Sequence, residues 1–178
     1  WGLSMRLQGM PNFPRNAALG SIQDLQLIEA YGQEVAREMR LLGVNVNFAP
    51  VADVNTNPLN PVINERSFGE AAQQVADRVL AYSRGLERGG VLAVSKHFPG
   101  HGDTQKDSHF ALPELGHDRA RLDSVELLPF RCLIEAGCGG LMVGHLKVPA
   151  LDQTAVPSSL SQPIIEDLLR KELGFQGL

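Results

Sequence analysis

Val91-Leu92-Ala93-Val94-Ser95, running directly into Lys96-His97-Phe98-Pro99-Gly100-His101-Gly102-Asp103-Thr104, decides the fold class. The first five residues form a continuous apolar, β-branched run behind Gly89-Gly90, without alternation of polar and apolar positions. A strand of that kind is covered on both faces, as in a parallel sheet flanked by helices. Polar and ionisable residues crowd in directly after it, where α/β folds place their chemistry.

Working outward, the same grammar repeats. Residues 24–42 carry Ile28, Tyr31, Val35, Met39 and Leu42 at three- and four-residue spacing, one apolar helical stripe stopped by Gly43. Val44-Asn45-Val46-Asn47-Phe48-Ala49-Pro50-Val51 reads as a buried strand closed by proline. A second helix is expected over about 70–88, with Val75, Val79, Tyr82 and Leu86 inward. A helical stretch starts near Asp118 and divides at Pro129, because proline fits a helix best in its first turn. Gly137 ends it, and Gly140-Leu141-Met142-Val143-Gly144-His145 gives a third strand. Ser161 then caps a helix with Pro163 in its first turn, running to Gly174. Strand–helix alternation with polar residues at the strand ends predicts an α/β domain, either an arc of a (β/α)8 barrel or an open doubly wound sheet. A full barrel takes about 250 residues, so 178 residues are expected to form an incomplete one, truncated at both ends.

A net charge of -4 and the absence of any Lys/Arg block exclude a nucleic-acid surface, and no apolar run is long enough to span a bilayer. The chain opens on Trp1-Gly2-Leu3-Ser4 with neither an initiator Met nor a signal pattern, which reads as truncation and fits a cytoplasmic or a periplasmic setting alike. Cys132 and Cys138 flank a helix end and a strand start, where small buried thiols are common.

Four of the five histidines lie between His97 and His117, together with Asp103 and Asp107. Apolar residues are sparse there, so packing does not explain them. Three chemistries fit: a metal site on His97, His101 and His109; a phosphate cradle on Gly100-x-Gly102, lacking the rest of any such motif; and acid–base work in which Asp107 orients His109 as a proton shuttle. A solvated loop whose polar groups cap turns is the bland alternative.

The run Lys-His-Phe-Pro-Gly-His-Gly-Asp-Thr at 96–104, followed by Asp-Ser-His at 107–109, resembles the signature of the bacterial β-N-acetylglucosaminidases of glycoside hydrolase family 3. Phe13-Pro14, the run from Asn47 to Val54, Arg66-Ser67-Phe68-Gly69, Gly144-His145-Leu146 and Gly174-Phe175-Gln176-Gly177 fall in that family's order. The resemblance implies a partial (β/α)8 barrel and a retaining hydrolase acting on terminal β-N-acetylglucosamine of muropeptides or chito-oligosaccharides. It makes His109 the acid/base, Asp107 its dyad partner, and Arg66, Lys96 and His97 the residues that hold the sugar. His101 and Asp103 are expected to shape the loop, His145 either to approach the site or to be a buried structural histidine, and Asp152 to belong to a turn. The nucleophilic aspartate is expected past Leu178, and a partner domain in the longer chain is compatible with the pattern. Neither a metal nor an organic cofactor is implied. At the amino end the likeness departs from its usual pattern: Gly-Gly-Arg-Val is replaced by the run from Trp1 to Arg6. A phosphorylase, a β-glucosidase or xylosidase, and a non-catalytic glycan-binding module are the alternatives.

Overall fold

The computed structural model describes residues 2–106 and 111–178. Three parallel strands lie in the order of the sequence: β1 (Val46–Asn47), β2 (Leu92–Phe98) and β3 (Gly140–Val143). A doubly wound sheet reverses its strand order at a switch point. None occurs among the described residues, and the arrangement is an arc of a barrel. Leu178 extends it: its N–H donates to the Gly139 carbonyl (2.9 Å) and its own carbonyl accepts from Leu141 (3.0 Å), the pattern of a parallel neighbour beginning beside β3.

The helices are α1 (Asn16–Leu19), α2 (Leu25–Leu41), α3 (Ala72–Arg88), α4 (Arg119–Arg121) and α5 (Leu128–Glu135), with a last helix, Pro163–Glu172, wound with wider i→i+5 turns. Asp24 caps α2 by accepting from the Gln26 N–H at 2.9 Å. Ile28, Tyr31, Val35 and Met39 are buried as the stripe requires, while Leu42 falls past the last turn of the helix and is exposed. On α3, Val75, Val79, Tyr82 and Leu86 are all buried. The two helices cross closely enough that a Cβ on Gly85 would lie 2.2 Å from the Glu29 carbonyl, so only glycine fits there. Beside that crossing the Tyr31 and Tyr82 rings stack at 4.8 Å. α3 also packs on β2 and α5, and each large side chain sealed between sheet and helices contributes roughly 1.5–3 kcal/mol.

The stretch from Asp118 does divide, through the π-helical turn Leu122–Glu126, and Pro129 sits in the first turn of α5. Ser161 caps the last helix, its Oγ accepting from Ile164. Asp152 belongs to a turn, accepting from the Thr154 N–H (2.8 Å) and from the Ser161 hydroxyl (2.5 Å). Cys138 is buried beside Glu87, and burial first, then that charge, pushes its thiol up to about 12, so it stays protonated.

The strand expected over 44–51 is shorter than its apolar run, and the register gives the reason. Val46 pairs with Leu92 and Asn47 with Ala93, but Val51 pairs with Lys96, so four steps on one strand oppose three on the other. Phe48-Ala49-Pro50 takes up the extra residue, where proline has no N–H for the ladder.

Candidate active site

A second bulge builds the site. On β2, Lys96 pairs with Met142 and Phe98 with Val143, which leaves His97 as the additional residue. A bulge re-aims side chains locally. Here it presents Lys96 and His97 in different directions at the carboxyl end of the strand, where the Lys96–His97 peptide is cis.

His97 is turned toward Asp53, which lies two residues past the Val51 bridge and is fully buried. Its Nδ1–H donates to Asp53 Oδ2 at 2.7 Å, and the backbone N–H groups of His97 (3.1 Å) and His101 (2.7 Å) both donate to Oδ1. An ionised carboxylate only accepts, which assigns the proton to Nδ1 and leaves Nε2 for whatever occupies the site. Burial opposes ionisation of Asp53, yet the facing His97 and His101 and these hydrogen bonds outweigh it and hold the carboxyl below the usual aspartate range. Asp53 thus serves His97 and the turn at His101.

Removing one partner of a buried charged cluster costs about 3–5 kcal/mol. Asp53→Ala in the full-length protein is therefore expected to lose stability on that scale at pH 7. The folded-state value of Asp53 is depressed, so its contribution is complete above the ordinary aspartate value and disappears as pH falls through the lower folded one. Urea unfolding between pH 7 and pH 2 checks this: the gap between parent and variant should close on the acid side, and a variant as stable as its parent at pH 7 would contradict the assignment.

Lys96 and Arg66 line one cavity of about 480 Å³, together with Asn16, Asn47, Phe48 and Tyr82. Arg66 ends a single 3-10 turn, Asn64–Arg66, which packs on α1. Its Nη1 donates to the Val62 carbonyl at 2.9 Å, and its own carbonyl accepts from Asn16 Nδ2 at 2.7 Å. Burial, and then the like charge of Arg66, push the Lys96 ammonium below the usual lysine range, while Asp53 acts in the opposite sense. Among the described residues, His97 is not part of that lining; it stands behind Lys96 on Asp53. Arg66 and Lys96 are brought together as a pair, with His97 adjacent.

The glycines of 100–102 serve packing. A Cβ on Gly102 would lie 1.8 Å from the Val54 carbonyl, so the turn is pressed directly against the loop that follows β1. That loop grips it further: Asn60 Nδ2 donates to the His101 carbonyl (2.8 Å) and Asn57 Nδ2 to that of Thr104 (3.3 Å). His101 is buried, its Nδ1 shares a 2.6 Å hydrogen bond with the Thr104 hydroxyl, and burial lowers its pKa, so it is neutral at neutral pH. Among the described residues no group of His, Cys, Asp and Glu is disposed to hold a metal ion. β3 stops at Val143, two residues before His145, which pairs with Ser159 Oγ at 2.5 Å and is exposed, while the neighbouring Gly144 abuts His97. Asp107 and His109 lie outside the described residues.

Two features escaped the sequence. Asp53 as the support of His97 was detectable as an acidic residue ending an apolar strand, a burial that requires partners. A contact between Asp103 and His117 had no local signal.

Residues 1–178 match the family described as Glycosyl hydrolase family 3 N terminal domain. Beta-hexosaminidase A of Pseudoalteromonas piscicida is 43% identical over 182 residues, covering 94% of this chain and 30% of that protein. The solved structure of a glycoside hydrolase family 3 beta-N-acetylglucosaminidase from Paenibacillus sp. str. FPU-7 superposes with a TM-score of 0.95 at 46% identity, covering 97% of this chain and 33% of that one. NagZ of Neisseria gonorrhoeae, solved with N-trifluoroacetyl-D-glucosamine, gives a TM-score of 0.90 at 32% identity over 97% of this chain and 52% of its own. The chain spans between about a third and a half of the lengths of these relatives. With its family matched from end to end and its strand arc superposing on solved members, the chain belongs to glycoside hydrolase family 3 through that family's N-terminal domain.

Proposed function

We propose that the full-length protein removes terminal non-reducing β-N-acetylglucosamine residues from muropeptides or chito-oligosaccharides by a retaining, two-step mechanism. The observation that carries this reading is the pair Arg66 and Lys96 on one cavity, with His97 braced on Asp53 beside it and Asp-Ser-His beginning ten positions beyond His97. Two cationic donors, one from the end of β2 and one from the 3-10 turn Asn64–Arg66, suit a neutral, hydroxyl-rich ring, because each charged donor orients one oxygen. The relatives named beta-hexosaminidase, and the gonococcal enzyme solved with N-trifluoroacetyl-D-glucosamine, support that substrate class.

In this mechanism an aspartate attacks the anomeric carbon as His109 protonates the departing glycosidic oxygen. His109 then takes a proton from the water that releases the sugar. Asp107 orients the imidazole and stabilises its charged form. Asp53 is not the nucleophile: it is sealed from solvent and saturated by His97 and His101. The attacking carboxylate comes from elsewhere in the full-length protein. The chemistry uses no metal or organic cofactor.

The test is substrate choice. Full-length protein given matched aryl β-glycosides is expected to cleave the N-acetylglucosaminide with a kcat/KM at least about a hundredfold above the glucoside and xyloside, the scale set by buried polar groups left unpaired on the wrong sugar. Equal or reversed preference would overturn the reading.

A further inference from the structure

The segment that begins at Asp103 and ends at His117 contains Asp107 and His109, and each of its roots is fastened to the barrel separately. On the outgoing side, Asn57, Asn60 and Asp53 hold residues 101–104. On the returning side, Leu115 donates to the Lys147 carbonyl (2.9 Å) and Lys147 to that of Pro113 (2.9 Å), a parallel bridge to the loop after β3, reinforced by a 3.0 Å ion pair between Lys147 and Glu114. The two roots also meet. His117 Nε2 donates to Asp103 Oδ2 across fourteen positions of chain, with both side chains largely covered. Behind them lies a second polar contact. Glu126 is buried against Gly100 and accepts from Arg121 Nη2 at 3.0 Å, and Arg121 also reaches the Thr56 hydroxyl at 3.3 Å. The loops after β1 and β2 and the π-helical turn Leu122–Glu126 are thereby joined in one bracket beside the pair.

We propose that Asp103 and His117 are positioning residues: their hydrogen bond closes the root of the intervening segment and so sets the aim of the acid/base dyad it carries. This rests on the reading of His109 and Asp107 given above. Joining the ends of a chain segment removes most of the positions its middle can occupy. Misplacing a reacting group by about 1 Å can cost about 10²-fold in rate. Neither residue is expected to touch the sugar, so the loss should fall on proton transfer and spare binding.

The experiment uses the full-length protein and a series of aryl N-acetyl-β-glucosaminides of rising leaving-group pKa. D103A and H117A are each expected to lower kcat about tenfold for the poorest leaving group and less than about twofold for the most activated, with KM within about twofold throughout. The double variant should lose no more than either single one, because both remove the same contact. D103N keeps an oxygen that can accept from His117 Nε2–H and should recover most of the loss. A loss uniform across the series, a double variant whose losses multiply, or D103N behaving like D103A would overturn the proposal. H117Q, which keeps a donor near the same place, carries the test should an alanine variant fail to fold, and a loss equal to that of D103A would count against it. H109A run alongside separates the two readings. If H109A shows no leaving-group dependence, the acid/base assignment itself is wrong. If H109A shows it and the Asp103 and His117 variants match the parent, only the positioning role is.

Discussion

His109→Ala in the full-length protein is expected to slow cleavage of substrates with poor leaving groups by about 10²–10⁴-fold, the usual contribution of a general acid, while barely changing bond cleavage in an activated aryl glycoside. The difference arises because an activated phenolate departs without a proton. For that substrate the loss moves to the second step, where His109 would otherwise activate water. A small anion such as azide needs no base to reach the glycosyl-enzyme, so it should restore turnover of the activated substrate and form a glycosyl azide. Asp107→Ala is expected to give a milder form of the same pattern, since it keeps His109 and removes the carboxylate proposed to orient it. The measurement is kcat/KM across the leaving-group series with and without azide. A uniform loss and no rescue would place the proton donor elsewhere.

The second large effect is expected at the cavity. A hydrogen bond from a charged group contributes about 1.5–3 kcal/mol, so Lys96→Met and Arg66→Gln should each lower kcat/KM by about 10–100-fold. The pair also shares a field. Burial and then Arg66 depress the Lys96 ammonium, so in the parent it surrenders its proton at lower pH than an exposed lysine does. With a charged Lys96 as the proposed donor to the sugar, activity should fall on the alkaline side through that lowered value. Arg66→Gln removes the like charge, and its alkaline limb should move to higher pH even though the whole profile is lower. Profiles of kcat/KM against pH for parent and variant decide it. An alkaline limb that stays in place would mean that the two cations do not share one site.

The sequence made the frame readable where local signals and tertiary demands agree. The stripes on α2 and α3, the cap at Ser161, the first-turn prolines 129 and 163, and the apolar runs of β2 and β3 stand where propensity and periodicity put them. The misses lie where the sheet itself adjusts. The apolar run over 44–51 carries no mark of the extra residue at 48–50, because a bulge is set by the register of a neighbouring strand. His97 gave the same difficulty: its position in the Lys-His motif was plain, but its turn onto Asp53, away from the cavity that Lys96 lines, follows from the bulge against β3. Asp103 and His117 belong to that class too, since no spacing rule brings two residues fourteen positions apart in a loop into contact.

The stereochemistry of the first product separates a two-step hydrolysis from its rivals most directly. Chito-oligosaccharide digested by full-length protein, followed by proton NMR from the first seconds, should release N-acetylglucosamine as the β-anomer before mutarotation, and phosphate in the buffer should change neither the product nor its anomer. Initial release of the α-anomer would rule out the two-step displacement. N-acetylglucosamine 1-phosphate, formed when phosphate is present, would make the protein a phosphorylase and contradict the hydrolase assigned to it.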